Sequence, residues 1–216
     1  MHSFTEENYL KAIYHLLLRA DSATTNDIAA ALGTKAASVT DMLKKLADKK
    51  LINYARYQGV SLTPDGERIA VGIVRKHRLW EHFLVNKLKF KWDEVHDMAE
   101  ELEHISSTEL INRLDEFMNF PQFDPHGDPI PDCDGRINDQ RLQSAMQLTQ
   151  NQSGKIAGVA DHSATFLQYL ERSQLTIGQT ITVTNVTDYD LSVKLNNGNK
   201  EFNISREVAK NLLILI

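Results

Sequence analysis

The sequence predicts an α+β chain: an N-terminal winged helix-turn-helix, a helical segment suited to dimerisation, and a small antiparallel β-barrel at the C-terminus. Three observations carry that reading. Apolar residues recur at helical spacing as far as Met118, interrupted by one hairpin-like stretch at 52–62. Four of the five prolines then fall between Pro121 and Pro131, which marks a break. From Lys155 onward the apolar period becomes two, as in strands.

Taken in order, Ser3 and Glu6 have capping-box spacing, and Leu10, Ile13, Tyr14 and Leu17 form the apolar face of a first helix. After the polar turn Asp21–Thr25, a short helix runs from Asn26 to Leu32 and closes at Gly33. A third helix, Ala36 to Lys50, turns Val39, Met42, Leu43 and Leu46 inward. Ile52–Arg56 and Val60–Leu62 read as two strands around Tyr57-Gln58-Gly59. Between Lys35 and Arg56 six basic residues face two acidic ones, in a chain whose net charge is −5. That local excess suits phosphate neutralisation. Ser38 and Thr40 are placed to donate to phosphates or bases, Lys35, Lys44 and Lys45 to neutralise phosphates, and Arg56 and Tyr57 to reach the backbone or minor groove from the wing.

Thr63-Pro64 opens a long helix to about Lys87, with Ile69, Ile73, Trp80 and Leu84 as its buried line. His77 and Glu81, four residues apart, share a face of it. The next helix, Val95 to His104, buries Val95, Met98, Ala99 and Leu102. Beside that stripe His96, Glu100, Glu103 and His104 fall within an arc of roughly 100°. Carboxylate and imidazole donors at such spacing suit a divalent metal, with His77 and Glu81 as ligands from a second element. Ser106 and Ser107 cap a helix with Leu110, Ile111, Leu114, Phe117 and Met118, and exposed apolar surface on this pair of helices suits a homodimer. Asp124-Pro125-His126 lies in the proline-rich stretch and offers two further ligands, as do Asp161 and His162 at the start of a helix spanning about Ala164–Arg172. Leu142–Leu148 is a candidate short helix. Strands are expected at Thr180–Thr184, Leu191–Leu195, Phe202–Ile204 and Leu212–Ile216, with Asn196–Asn199 as a hairpin turn.

The single cysteine, Cys133, excludes an internal disulfide and a cysteine-rich zinc site. The sequence shows no signal-peptide pattern and no apolar run of bilayer length, so a cytoplasmic location is expected, with no membrane partner.

The order of these elements, with the motifs Arg75-Lys76-His77-Arg78-Leu79-Trp80-Glu81, Val95-His96-Asp97 through Glu103-His104, and Pro125-His126-Gly127-Asp128-Pro129-Ile130-Pro131, resembles the diphtheria toxin repressor family of metal-dependent transcriptional regulators, its manganese branch included. The resemblance implies four parts: a DNA-binding winged helix (1–63), a helical metal-binding and dimerisation domain (64–120), a proline-rich linker (121–154) and an SH3-like, FeoA-like domain (155–216). It implies a homodimer that binds a palindromic operator and represses metal-uptake genes when Mn(II) or Fe(II), or else Zn(II), is bound. Carried over by position, it gives a primary site of His77, Glu100, Glu103, His104 and Asn8, and an ancillary site of Glu81, His96, Asp124, His126 and Asp161. Where iron repressors of the family have cysteine, Glu100 is a harder ligand that favours Mn(II) or Fe(II).

The chain departs from the family in four places. Asn8 stands for an aspartate or methionine ligand. Lys11 stands where the manganese branch often has glutamate, and a cation there cannot ligate. Ala37 and Asp41 replace a proline and a glutamine on the DNA-reading helix, so the operator is expected to differ. Two other readings use the same residues. One is a regulator of this architecture that answers to another ligand or to none. The other is a metal-dependent hydrolase, which lacks a separate nucleophile, phosphate loop or catalytic histidine arrangement. The chain is therefore expected not to be an enzyme and to take no small organic substrate.

Overall fold

A computed structural model describes residues 2–55, 59–138 and 140–216. The chain divides into two compact units, Met1–His77 with Glu100–Leu114 and Pro131–Arg136, and Arg78–Ala99 with Asp115–Ile130 and Ile137–Ile216.

In the first unit, α1 (Phe4–Leu17), α2 (Thr25–Ala31) and α3 (Ala36–Asp48) precede the antiparallel hairpin β1 (Ile52–Ala55) and β2 (Gly59–Leu62). Reciprocal capping boxes start the first two helices, Ser3 with Glu6 and Thr24 with Asp27. Leu10, Ile13, Ile28, Val39, Leu43 and Leu46 are fully buried and form the core between the helices. Glu6, also buried, does more than cap: it receives Lys49 at 2.7 Å and Lys45 at 3.0 Å, which ties α1 to α3. Burial alone would raise its pKa, but the two lysines and the Ser3 N–H outweigh that and hold it down at about 2.

The helix α4 (Pro64–Asn86) contributes to both units, and it is buried far beyond one stripe. Ala70, Ile73, Val74 and Leu79 are buried, and so are the polar Arg75, His77, Arg78 and Glu81. Ile69 and Trp80, expected on the buried line, are only half-buried. The helix α5 is shorter than its sequence predicts. It spans His96–Leu102, and Glu103 and His104 lie in the turn that follows. Glu103 is 0% exposed there, deeper than its apolar neighbour Leu102. Next comes α6 (Thr108–Phe117), with Ile111 and Leu114 buried and Leu110 and Phe117 exposed.

The proline-rich stretch is ordered structure rather than a plain linker. Backbone bonds from Asp124 N to Asp128 O (3.0 Å) and Ile130 N to Gln122 O (2.9 Å) close a tight loop. Where a short helix was expected at Leu142–Leu148, the chain forms β3 (Gln143–Ser144) and one 3₁₀ turn.

The remaining elements are β4 (Ser153–Val159), α7 (Ala164–Arg172), β5 (Thr180–Val186), β6 (Val193–Asn196), β7 (Glu201–Ile204), α8 (Arg206–Asn211) and β8 (Leu212–Leu215). The strands build one six-stranded antiparallel sheet in the order β3-β8-β4-β5-β6-β7. Alternation fills its core with Ile181, Val183, Val193, Leu195, Phe202, Ile204, Leu212 and Ile214, closed by Leu167 and Leu170 of α7. Leu191, expected in a strand, sits before β6 with φ +56°. The strand β4 and the helix α8 had no clear signal, since Ser153–Val159 contains two glycines and α8 is only six residues long. Among the described residues no helix is long and apolar enough to cross a membrane.

Glu6→Gln removes the charge that joins α1 to α3 and is expected to cost roughly 2 kcal/mol in a denaturant titration. In the wild type the Glu6 contribution is present above about pH 4.5 and is lost as pH falls towards about 2, because the folded-state value is the lower one.

Candidate metal sites

Among the described residues, one group of ligand-type side chains lies within the first unit and another within the second. In the first unit Glu103 is the hub. His77 Nδ1 of α4 lies 2.6 Å from Glu103 Oε2. Lys11 of α1 donates to the same oxygen at 2.8 Å, lies 2.7 Å from Oε1, and donates to Glu100 Oε1 at 3.2 Å. Burial pushes the Glu103 carboxyl up, but His77 and Lys11 prevail and hold it below the usual range. His104 Nδ1 takes Glu7 Oε2 at 2.6 Å, stacks on Phe4 at 4.5 Å, and keeps its Nε2 4.0 Å from Glu103 Oε1. Asn8 Oδ1 is buried without a hydrogen-bond partner among the described residues. The expected primary set of His77, Glu100, Glu103 and His104 is thus assembled around an ammonium group. Lys11 enters it as the non-ligating cation that the sequence marked, and Glu7 as a member that sequence reasoning passed over. The signal was present, because Glu7, Asn8 and Lys11 have the spacing of one helix face.

In the second unit Glu81, Asp124 and His126 each present a ligand atom within 4.8 Å of the others, and all three residues are buried. His126 is fixed from outside. Its Nε2 lies 2.8 Å from the Trp92 carbonyl, which can only accept, so Nε2 carries a hydrogen. In the neutral ring Nδ1 then holds the lone pair, 3.5 Å from Glu81 Oε2, and it makes no hydrogen bond among the described residues. The ring stacks with Trp92 (6.0 Å) and His162 (4.8 Å). Asp124 Oδ1 accepts the N–H groups of His126 (2.8 Å) and Asp128 (3.0 Å), which shapes the loop, and Arg78 Nε stands 3.8 Å from Oδ2. His96, half-exposed, reaches Glu81 Oε1 at 3.5 Å. Asp161 is not in the cluster. It spends Oδ1 on Ser163 N at 2.8 Å, a local turn, and its neighbour His162 is the residue that reaches His126.

Electrostatics leave the second group holding protons. Burial, Asp128 and Glu81 push the Asp124 carboxyl up to about 8. For His126 burial disfavours the imidazolium, but Glu81 and Asp124 overcome that and raise it to about 9. Oxygen and nitrogen donors on a buried wall, with an imidazole whose lone pair is aimed by a carbonyl behind it, fit a divalent ion. In the first group a cation of the chain, Lys11, stands among the carboxylates.

On α3, Lys35, Ala37 and Ser38 are exposed. Thr40 gives its hydroxyl to Ala36 O at 3.0 Å, Lys44 pairs with Asp41 at 3.2 Å, and Lys45 is held by Glu6. Arg56 and Tyr57 lie outside the described residues.

Comparison with known proteins agrees with this architecture. Residues 1–60 match the iron dependent repressor N-terminal DNA binding domain, 63–132 its metal binding and dimerisation domain, and 145–215 the FeoA domain. The chain is 33% identical over 127 residues to the iron-dependent repressor IdeR of Mycobacterium bovis, covering 59% of this chain and 55% of that relative. The match therefore spans about half the length of that curated relative. It is 34% identical over 114 residues to the HTH-type transcriptional regulator MntR of Bacillus pumilus, covering 53% of this chain and 78% of that one. A solved structure described as a manganese-dependent transcriptional repressor in complex with manganese superposes with a TM-score of 0.89 at 31% identity, covering 97% of this chain and 99% of that chain. The chain belongs to the diphtheria toxin repressor family, the group that includes IdeR and MntR.

The cluster loop depends on Gly127, whose φ is +90° and where a Cβ would lie 2.0 Å from Ala157 O of β4. Gly127→Ala is expected to lift the loop from β4, where Val159 N donates to His126 O at 3.0 Å. The expected cost is roughly 2–4 kcal/mol in thermal unfolding, with faster hydrogen exchange at the Val159 amide.

Proposed function

We propose that this protein is a metal-dependent transcriptional repressor of metal-uptake genes, acting in the cytoplasm as a homodimer on a palindromic operator. Mn(II) or Fe(II) bound by Glu81, Asp124 and His126 is its signal. The observation that carries the reading is the buried His126, held by the Trp92 carbonyl so that Nδ1 faces Glu81. The exposed start of α3, with Lys35, Ala37 and Ser38, supports a major-groove contact. The exposed Leu110 and Phe117 of α6 support a dimer face.

A bound divalent ion supplies positive charge in place of the protons that the cluster holds without it. Glu81 of α4 and, from the loop, Asp124 and His126 would hold the ion, the latter two giving up their protons to do so. The other half of α4 belongs to the unit that carries α3. Metal and operator then favour the same conformation, so each tightens binding of the other. The donor set, oxygens and one imidazole without thiolate, suits Mn(II) or Fe(II) and admits Zn(II). The single cysteine, Cys133, is exposed and absent from the cluster.

Fluorescence anisotropy on promoter DNA from the protein's own gene neighbourhood tests this at fixed salt. Binding is expected to tighten by about tenfold or more on adding Mn(II) or anaerobic Fe(II), consistent with typical coupling energies. His126→Ala should abolish that gain. Equal binding in chelator and in every metal would sink the proposal. Metal affinity is also expected to rise with pH. Below the raised values of about 8 for Asp124 and about 9 for His126, protons must leave before the metal enters, and above them the dependence flattens. Calorimetry in buffers of different ionisation enthalpy measures the protons released. An affinity that is level from pH 6 to 9 would contradict this site.

A further inference from the structure

The first group of ligand-type residues carries an inference of its own. Lys11 is on α1, its side chain is 12% exposed, and its ammonium sits between Glu100 and the wholly buried Glu103. The carboxylate of Glu103 is then flanked by His77 on its other side. Glu7, one turn before Lys11 on the same face, closes a second pair with His104 at 2.6 Å. Two side-chain contacts therefore join α1 to the end of α5 and its turn, the Lys11–Glu103 ion pair and the Glu7–His104 hydrogen bond. Both are made by side chains of the protein alone.

A divalent ion at this group would need ligand distances of about 2.0–2.2 Å to the same carboxylate oxygens. It would have to displace an ammonium that already lies within hydrogen-bonding distance of them. The Glu103 carboxylate is already matched by the Lys11 ammonium at 2.7 Å, and His104 has its Nδ1 engaged by Glu7. Asn8 adds only a neutral amide oxygen.

We infer that Lys11 is a built-in cation that takes the place of a divalent ion at the Glu100–Glu103–His104–His77 group, so that α1 is clasped to Glu103 whether or not metal is present. The group holds no metal of its own, and the protein takes one ion per chain. The inference rests on the preceding reading only in assigning that one ion to Glu81, Asp124 and His126. Lys11 is in this sense a positioning residue. It keeps the α1 end of the DNA-binding unit fixed, and the metal response is left to the second unit.

The test counts bound Mn(II) on the full chain, reading free ion by electron paramagnetic resonance. The wild type is expected to bind one ion per chain. Glu100→Gln, at a half-exposed position, and Glu103→Gln should each leave that count unchanged. Lys11→Glu, which turns the cation into a ligand, should add a second ion, and Glu103→Gln in the same chain should remove it. Loss of bound Mn(II) from either glutamine variant of the wild type would overturn the inference, as would a Lys11→Glu protein that gains no second ion. Thermal melts in chelator give an independent reading should Lys11→Glu fold poorly. Lys11→Met should lower the melting temperature, and adding Glu103→Gln should restore most of the loss, because the buried charge is removed with its partner. Additive losses would overturn the inference. Retention of Mn(II) by His126→Ala would instead defeat the site assignment of the preceding subsection. The outcome for Lys11 would still be read from the position 11, 100 and 103 variants.

Discussion

Among the described residues five carboxyl groups are buried: Glu6, Glu81, Glu103, Asp115 and Asp124. A carboxylate in that position must find a countercharge or take up a proton. The chain answers in two ways. Glu6 receives Lys45 and Lys49, and Glu103 receives Lys11 with His77, so their countercharges are part of the polypeptide. At Asp124 and His126 the compensation comes from bound protons: burial, Asp128 and Glu81 push Asp124 up to about 8, and Glu81 and Asp124 raise His126 to about 9 against its burial. Protons exchange with the surroundings and lysines do not. The two groups therefore differ in kind: the countercharge is fixed in one and exchangeable in the other.

The two histidines closest to this choice show how position decides role. His77 and His126 both face a buried glutamate. The nitrogen of His77 meets Glu103 at 2.6 Å, a short contact within a group that already includes an ammonium. His126 Nδ1 stands 3.5 Å from Glu81, its other nitrogen committed to Trp92. The first geometry is a closed, short hydrogen bond. The second is a wider spacing, into which the proposed ion would fit. Trp92 and His162 stack with that ring and restrict its rotation, so the aim of Nδ1 is set before any ion arrives.

Much of the fold could be read from local pattern. The capping residue Ser3, the apolar faces of α1 and α3, the Thr63-Pro64 start of α4 and the alternation in β5 all act within one element, where spacing and backbone chemistry suffice. The end of α5 was not legible, since nothing in Glu100–His104 breaks helical periodicity. The chain leaves the helix at Leu102, and the carboxylate of Glu103 is held by α1 and α4 rather than by helical neighbours. The loop at Asp124 was hidden for a similar reason. Its prolines suggest a linker, while its order comes from Asp124 Oδ1 holding the His126 and Asp128 amides and from contact of Gly127 with β4. Asp161 was favoured over His162 by position, yet the start of α7 uses Asp161 to bind Ser163.

By itself the sequence determined the kinds of donor available and their elements: carboxylates and imidazoles on α4, on α5 and its turn, and in the loop after α6, with a single cysteine and a basic third helix. It also determined that position 11 is a cation. Only the tertiary structure decided which donors meet, because residues as far apart as Lys11 and Glu103, or Glu81 and His126, become neighbours through packing rather than spacing. It likewise decided their charge states, since burial and the nearest opposite charge govern protonation, and neither is a property of a linear chain.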